Sequence, residues 1–167
     1  MAIRDQELFK LIEKIQDHYH NNINNRFVRK ALLYLMIPRE TRTALENLTQ
    51  KTDEYKIRGY QYDELYQQIL AAATFIYHVK REIQPKLKGM LAGGGETVFS
   101  RSAGASPQEQ ILREMAISNF PANLGVLADL INELYLKTVA LDKEEHAGRH
   151  PAYEKIPELK ELGRLLV

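Results

Sequence analysis

Five histidines and no cysteine define the chemistry available to this chain. Without cysteine there can be no disulfide scaffold, thiolate zinc site, iron–sulfur cluster or cysteine nucleophile. Helical bundles that hold paired metal ions use Glu-x-x-His, a spacing that turns both ligands inward. Here the residues three places before the histidines are Ile15, Asp17, Phe75, Lys143 and Ala147. The pattern is missing, and no metal or cofactor is expected. His18 and His20 stand two apart, which on a helix points them in different directions. His146 and His150 have chelating spacing, but Gly148 lies between them and Pro151 follows. A helix end carrying a histidine that complements the macrodipole is the plainer reading. His78, between Tyr77 and Val79, reads as a partly buried residue inside a helix. It is the first choice for an acid–base group or a small-ligand pocket.

The run Gly93-Gly94-Gly95 invites a phosphate-binding reading and fails it. Glu96 follows the glycines, where a phosphate loop needs Lys and Ser or Thr, and no strand precedes them. Residues 92–106 hold four Gly and three Ser and read as a long flexible loop. Phe99 is its one large apolar side chain, either folded back onto the bundle or an anchor for a partner. The loop ends at Ser106, Pro107 and Glu109, a capping box that opens a helix.

Three other groups of residues suggest surfaces. Tyr55, Tyr60, Tyr62 and Tyr66 surround the Gly59 turn, and tyrosine is favoured where one side is apolar and the other wet. Arg26, Arg29, Lys30, Arg39 and Arg42 form one basic group, and Lys80 and Arg81, with Lys86 and Lys88, a second. Together they are either ordinary solvated faces or a stripe that neutralises phosphates. Leu159, Leu162, Leu165 and Leu166 place an amphipathic turn in a tail bounded by prolines.

The elements that must position these residues are helical. Leu8, Leu11, Ile12, Ile15 and Tyr19 follow the spacing of one helix face, which should end within the Asn-rich stretch 21–25. A second helix is expected over Phe27–Ile37 and a third over about 38–58. A long helix from about Tyr62 carries Leu65, Ile69, Ala72, Ile76 and Val79, with a kink or break near Glu82 caused by Pro85. A helix over about 107–119 stops at Phe120-Pro121. Another, from about Ala122 to His146, carries Leu124, Leu127, Ile131, Leu134, Thr138 and Leu141. No segment has strand periodicity. The expected fold is an all-α bundle of about four to six helices over residues 1–150, with residues 151–167 as a C-terminal tail or docking arm.

Charge and composition fit an interaction protein. The total of 23 basic and 22 acidic residues conceals a shallow gradient, from net +3 over residues 1–60 to net −2 over 121–167. That is too mild for a dedicated polyanion binder. No apolar run approaches the roughly 20 residues of a membrane helix, and the first ten residues lack the apolar core of a secretory signal. The long seams at about 62–91 and 122–146 either meet inside one bundle or lie partly in a dimer interface. The leading expectation is a non-catalytic, cytoplasmic helical protein acting through protein–protein contacts, with self-association as one route. Phe99, Tyr55, Tyr60, Tyr62, Tyr66, Leu159, Leu162 and Leu166 are its candidate contact residues. Nucleic-acid binding through the basic faces is the first alternative. A small-ligand or enzymatic bundle with a pocket near His78 is the second.

Overall fold

The computed structural model describes residues 2–3, 5–23, 26–34, 60–82, 119–146 and 151–166, with the single positions 39, 43 and 85. Among these residues the protein is all-α, with five α-helices: α1 (Gln6–His18), α2 (Arg26–Tyr34), α3 (Tyr62–Glu82), α4 (Phe120–Glu145) and α5 (Leu162–Leu166). The expected helices over 38–58 and 107–119, the 92–106 loop and the Ser106 capping box lie outside the described residues. The extended structure among the described residues is one antiparallel pairing of β1 (Ala2–Ile3) with β2 (Tyr60–Gln61), in which Ala2 faces Gln61 and Ile3 faces Tyr60. It joins the chain just before α1 to the chain just before α3, so these two helices start at the same end of the bundle.

Helix α1 begins where Asp5 accepts a hydrogen bond from the Leu8 amide at 2.9 Å. This satisfies one of the free donors of the first turn. Leu8, Leu11, Ile12 and Ile15 are buried, as their spacing predicts. The Asn-rich stretch is more ordered than a simple turn. It continues α1 as a π-helical turn over Tyr19–Ile23, which buries both Tyr19 and Ile23. Asn22 supports the turn by reaching back to the His18 carbonyl at 3.2 Å.

Helix α4 starts earlier than its Pro121 suggests. Proline lacks only an amide that a first helical turn leaves unpaired anyway, so Phe120-Pro121 opens the helix instead of interrupting it. Asn119 precedes it in the left-handed conformation, at φ 56° and ψ 21°. Asparagine tolerates that region better than most residues.

Helix α4 is the central element, packed against α1, α3, the π turn and α5. Polar contacts fix its direction. His18 reaches Asn123, and Lys137 pairs with Glu7, so α1 and α4 run antiparallel. Tyr66 meets Asp142 and Tyr62 meets His146, so each four-residue step along α3 matches a four-residue step back along α4. The α3–α4 seam buries Leu65, Ile69, Ala72, Ile76 and Val79 against Leu124, Leu127, Ile131 and Leu134.

The C-terminal segment folds back over this seam. Two 3₁₀ turns, Ala152–Lys155 and Pro157–Glu161, lead into α5. Ile156, Leu159, Leu162, Leu165 and Leu166 are buried in the common core. Lys80 donates to the Leu166 carbonyl at 2.9 Å, tying the end of α5 to the end of α3.

The Asn119 geometry yields a stability prediction. Asn119→Gly should lie within about 0.5 kcal/mol of the parent, because glycine adopts positive φ freely. Asn119→Val should lose about 1–2 kcal/mol, because a β-branched side chain does not. Denaturant unfolding measures both, and equal stabilities would contradict the left-handed assignment.

Candidate functional site

The end of the bundle where α1 and α3 begin and α4 finishes holds a buried carboxylate. Asp142 is fully buried. Its Oδ2 accepts from the Tyr66 hydroxyl at 2.8 Å and from the Tyr153 amide at 3.0 Å. Its Oδ1 accepts from the Ala152 amide at 3.2 Å and lies 2.8 Å from Nδ1 of His146. A carboxylate offers about four acceptor sites, two on each oxygen; three take hydrogen bonds, and the His146 ring lies against the carboxylate beside them. These groups come from α3, from the last turn of α4 and from the C-terminal segment.

Helix position makes this demanding. Asp142 sits in the last turn of α4, where the macrodipole disfavours negative charge. The start of α3, with the opposite dipole, lies alongside and supplies Tyr66. The three donors and the adjoining His146 ring replace the lost water, which a buried charge requires.

The same contacts define the His146 ring. Nδ1 faces the Asp142 carboxylate and lies 3.0 Å from the Asp142 carbonyl, both acceptors, so Nδ1 carries hydrogen. Nε2 then accepts when the ring is neutral and donates when it is charged. The ring packs edge-on to Tyr62, with centroids 5.6 Å apart. Beside them opens a cleft of about 300 Å³ lined by Gln61, Tyr62, Asp63, His146, Lys155 and Ile156, with Ala152 at its wall.

Tyr62 and Tyr66 differ in how their hydroxyls are satisfied. Tyr66 donates to Asp142, and burial, reinforced by that carboxylate, pushes its pKa well above the ordinary 10.0. The Tyr62 hydroxyl is buried beside the Glu145 carboxylate. Burial and then the neighbouring Glu145 carboxylate push its pKa up as well.

The candidates read from the sequence fall in different places. Tyr62 and Tyr66 converge on Asp142 and His146 as buried core residues, and of the two Tyr62 lines the cleft. Tyr60 contributes its backbone to β2, while Tyr55, Phe99 and Arg42 lie outside the described residues. Leu159, Leu162 and Leu166 are buried against the chain's own α3 and α4. Arg26, Arg29 and Lys30 are exposed on α2, and Arg39 and Arg81 are also exposed. Lys80 is partly buried on the Leu166 carbonyl. His78 packs edge-on against its neighbour Tyr77, far along α3 from the cleft.

His18 reads as structural. Nε2 of His18 donates to the Asn123 carbonyl at 2.7 Å, and its Nδ1 accepts from Asn22 at 3.2 Å. Among the described residues, no three His, Asp or Glu side chains form a metal-binding group, and no helix is long and apolar enough to cross a membrane.

Sequence reasoning missed Asp142. The stripe Leu124, Leu127, Ile131, Leu134, Thr138 continues to either 141 or 142, and the apolar Leu141 is the natural choice. A strict 3.6-residue step from Leu124 reaches 142, and the structure buries Asp142 fully while Leu141 is only partly buried.

Two predictions follow from the carboxylate. In Asp142→Asn the amide nitrogen must face either the Ala152 or the Tyr153 amide, donor against donor. Stability should fall by about 2–4 kcal/mol, against about 1 kcal/mol for Tyr66→Phe; equal losses in denaturant unfolding would contradict the shared role of Asp142. The second concerns alkaline pH. Below pH 10 both tyrosines are protonated whether folded or not. Above it, unfolded tyrosines ionise while Tyr62 and Tyr66 do not, so the unfolded state holds fewer protons and stability falls as pH rises. An ultraviolet titration should show at least two of the nine tyrosines ionising only as the chain unfolds; nine freely titrating phenols would contradict it. Compared with protein-family models, curated proteins and solved structures, the chain has no significant match.

Proposed function

We propose that this chain is a non-catalytic, cytoplasmic interaction protein that self-associates by exchanging its C-terminal segment between copies. The observation carrying this reading is the seat of that segment. A short amphipathic stretch lays Leu159, Leu162, Leu165 and Leu166 onto the α3–α4 seam, latched by Asp142 at one end and Lys80 at the other. This is how a helical groove takes a leucine-bearing partner. The residues 147–150 that connect α4 to the segment include Gly148. A second copy's segment would make the same contacts, so exchange needs no new interface. The cysteine-free composition suits a reducing compartment.

Light scattering on the size-fractionated full chain tests the reading. A dimer should grow with protein concentration and vanish in a 1–150 truncation and in full-length Leu162→Asp. A monomer at every concentration, or a dimer untouched by both changes, would overturn it. In the monomer, Leu162→Ala should lose about 2–4 kcal/mol of stability, and a loss under about 0.5 kcal/mol would show that the segment is not docked.

A further inference from the structure

We propose that copies of this chain pack side by side, the exposed face of α2 in one copy lying on the exposed face of α4 in the next. This contact is separate from segment exchange. It uses the outward face of α4 and leaves untouched the seam that seats the C-terminal segment.

Among the described residues, three large apolar side chains are left exposed: Leu33 on α2, and Val126 and Leu136 on α4. Each stands at the end of a charged stripe. On α2, Arg26, Arg29, Lys30 and Leu33 are all exposed, while Val28 is buried. At about 100° per residue the four exposed residues fall within an arc of about 100°, and Val28 points the other way. On α4, Val126, Asp129, Glu133 and Leu136 are exposed, while Leu124, Leu127, Ile131 and Leu134 are buried. The exposed four share an arc of about 80°, opposite the buried four. One stripe is therefore basic with an apolar end, and the other is acidic with an apolar residue at both ends.

The spacings match. Counting towards the N-terminus from Leu33, Lys30 stands three residues away and Arg26 seven. Counting the same way from Leu136, Glu133 stands three away and Asp129 seven; forward from Val126, the same steps reach Asp129 and Glu133. Helix residues at these steps share a face. Thus α2 can set Leu33 on either apolar end of the acidic stripe and bring its bases to both acids. Lys137, one turn beyond Glu133, is already held by Glu7 at 2.6 Å.

Charge selects which faces meet. Pairing α4 with another copy's α4 across a two-fold axis would lay Asp129 and Glu133 against acids, and α2 on α2 would oppose bases to bases. Opposite charges meet only when α2 lies on α4. Such a contact is heterologous, since each copy offers one face and receives the other, so it builds rings or chains of copies instead of stopping at a pair. A surface ion pair contributes little alone. The covered leucines and valine supply apolar burial, and the charges supply register and choice of partner.

The test is sedimentation velocity on the full-length chain over a series of concentrations at low salt. The weight-average mass should rise past that of a dimer, and high salt should remove the growth. Two charge-reversed chains are compared, one with Arg26→Glu and Lys30→Glu, the other with Asp129→Lys and Glu133→Lys. Each should associate at least about tenfold more weakly than the parent, with circular dichroism unchanged. Mixed in equal amounts they should associate as the parent does, because each reversed face then meets its complement. Leu136→Ser should also weaken the association. A dimer of exchanged segments should persist in both reversed chains, which keeps the two readings separable. A parent whose mass stops at a dimer, reversed chains or a folded Leu136→Ser that associate undiminished, or a mixture no better than its components would overturn the contact. Duplex DNA retained by the parent and lost by the α2-reversed chain, with no growth in mass, would give the basic face to a nucleic acid instead.

Discussion

The Asp142 carboxylate is the constraint on which this architecture turns. It is buried at the wrong end of a helix dipole, so the fold holds together there only if donors from several elements meet it. Meeting it sets three things together. Tyr66 fixes the register of α3 on α4. The Ala152 and Tyr153 amides fix where the C-terminal segment turns back. His146 takes one ring orientation, and the cleft takes its shape from that ring.

Apolar burial and polar contacts divide the labour. The leucine and isoleucine seams supply most of the stabilisation, at about 1.5–3 kcal/mol for each fully buried side chain. Such seams tolerate sliding, because one leucine fits much like another. The polar contacts do not. His18 with Asn123 pins one end of α4, and Asp142 with its donors pins the other. Breaking a buried charged contact leaves unsatisfied groups in a low-dielectric interior, so a slipped register would be penalised even where its apolar packing was adequate. Polar contacts at the two ends of one helix therefore fix the packing that the apolar stripe drives.

How far the sequence disclosed this depended on the type of interaction. The face of α1, the long seam of α3 and the stripe of α4 follow directly from 3.6-residue periodicity, and so does the all-α class. The leucines of the tail were recognisable as amphipathic, but their partner was not, since a stripe does not reveal which groove it fills. The π turn at Tyr19–Ile23 hid behind its asparagines, whose turn propensity was outweighed by the burial of Tyr19 and Ile23. Asp142 was obscured because an aspartate beside a leucine reads as the exposed one of the pair. Its donors are remote in the chain, and no local pattern announces them. The cleft draws on residues 61–63, 146, 152, 155 and 156, which only tertiary packing brings together.

Native-state hydrogen exchange at the Ala152 and Tyr153 amides tests the central claim most directly. Both amides are bound to a fully buried carboxylate and lie in a short 3₁₀ turn, an element with little protection of its own. If Asp142 holds the segment on the bundle, they should exchange nearly as slowly as amides in the middle of α4, opening only with the core. Exchange at the rate of an unprotected loop would contradict the account.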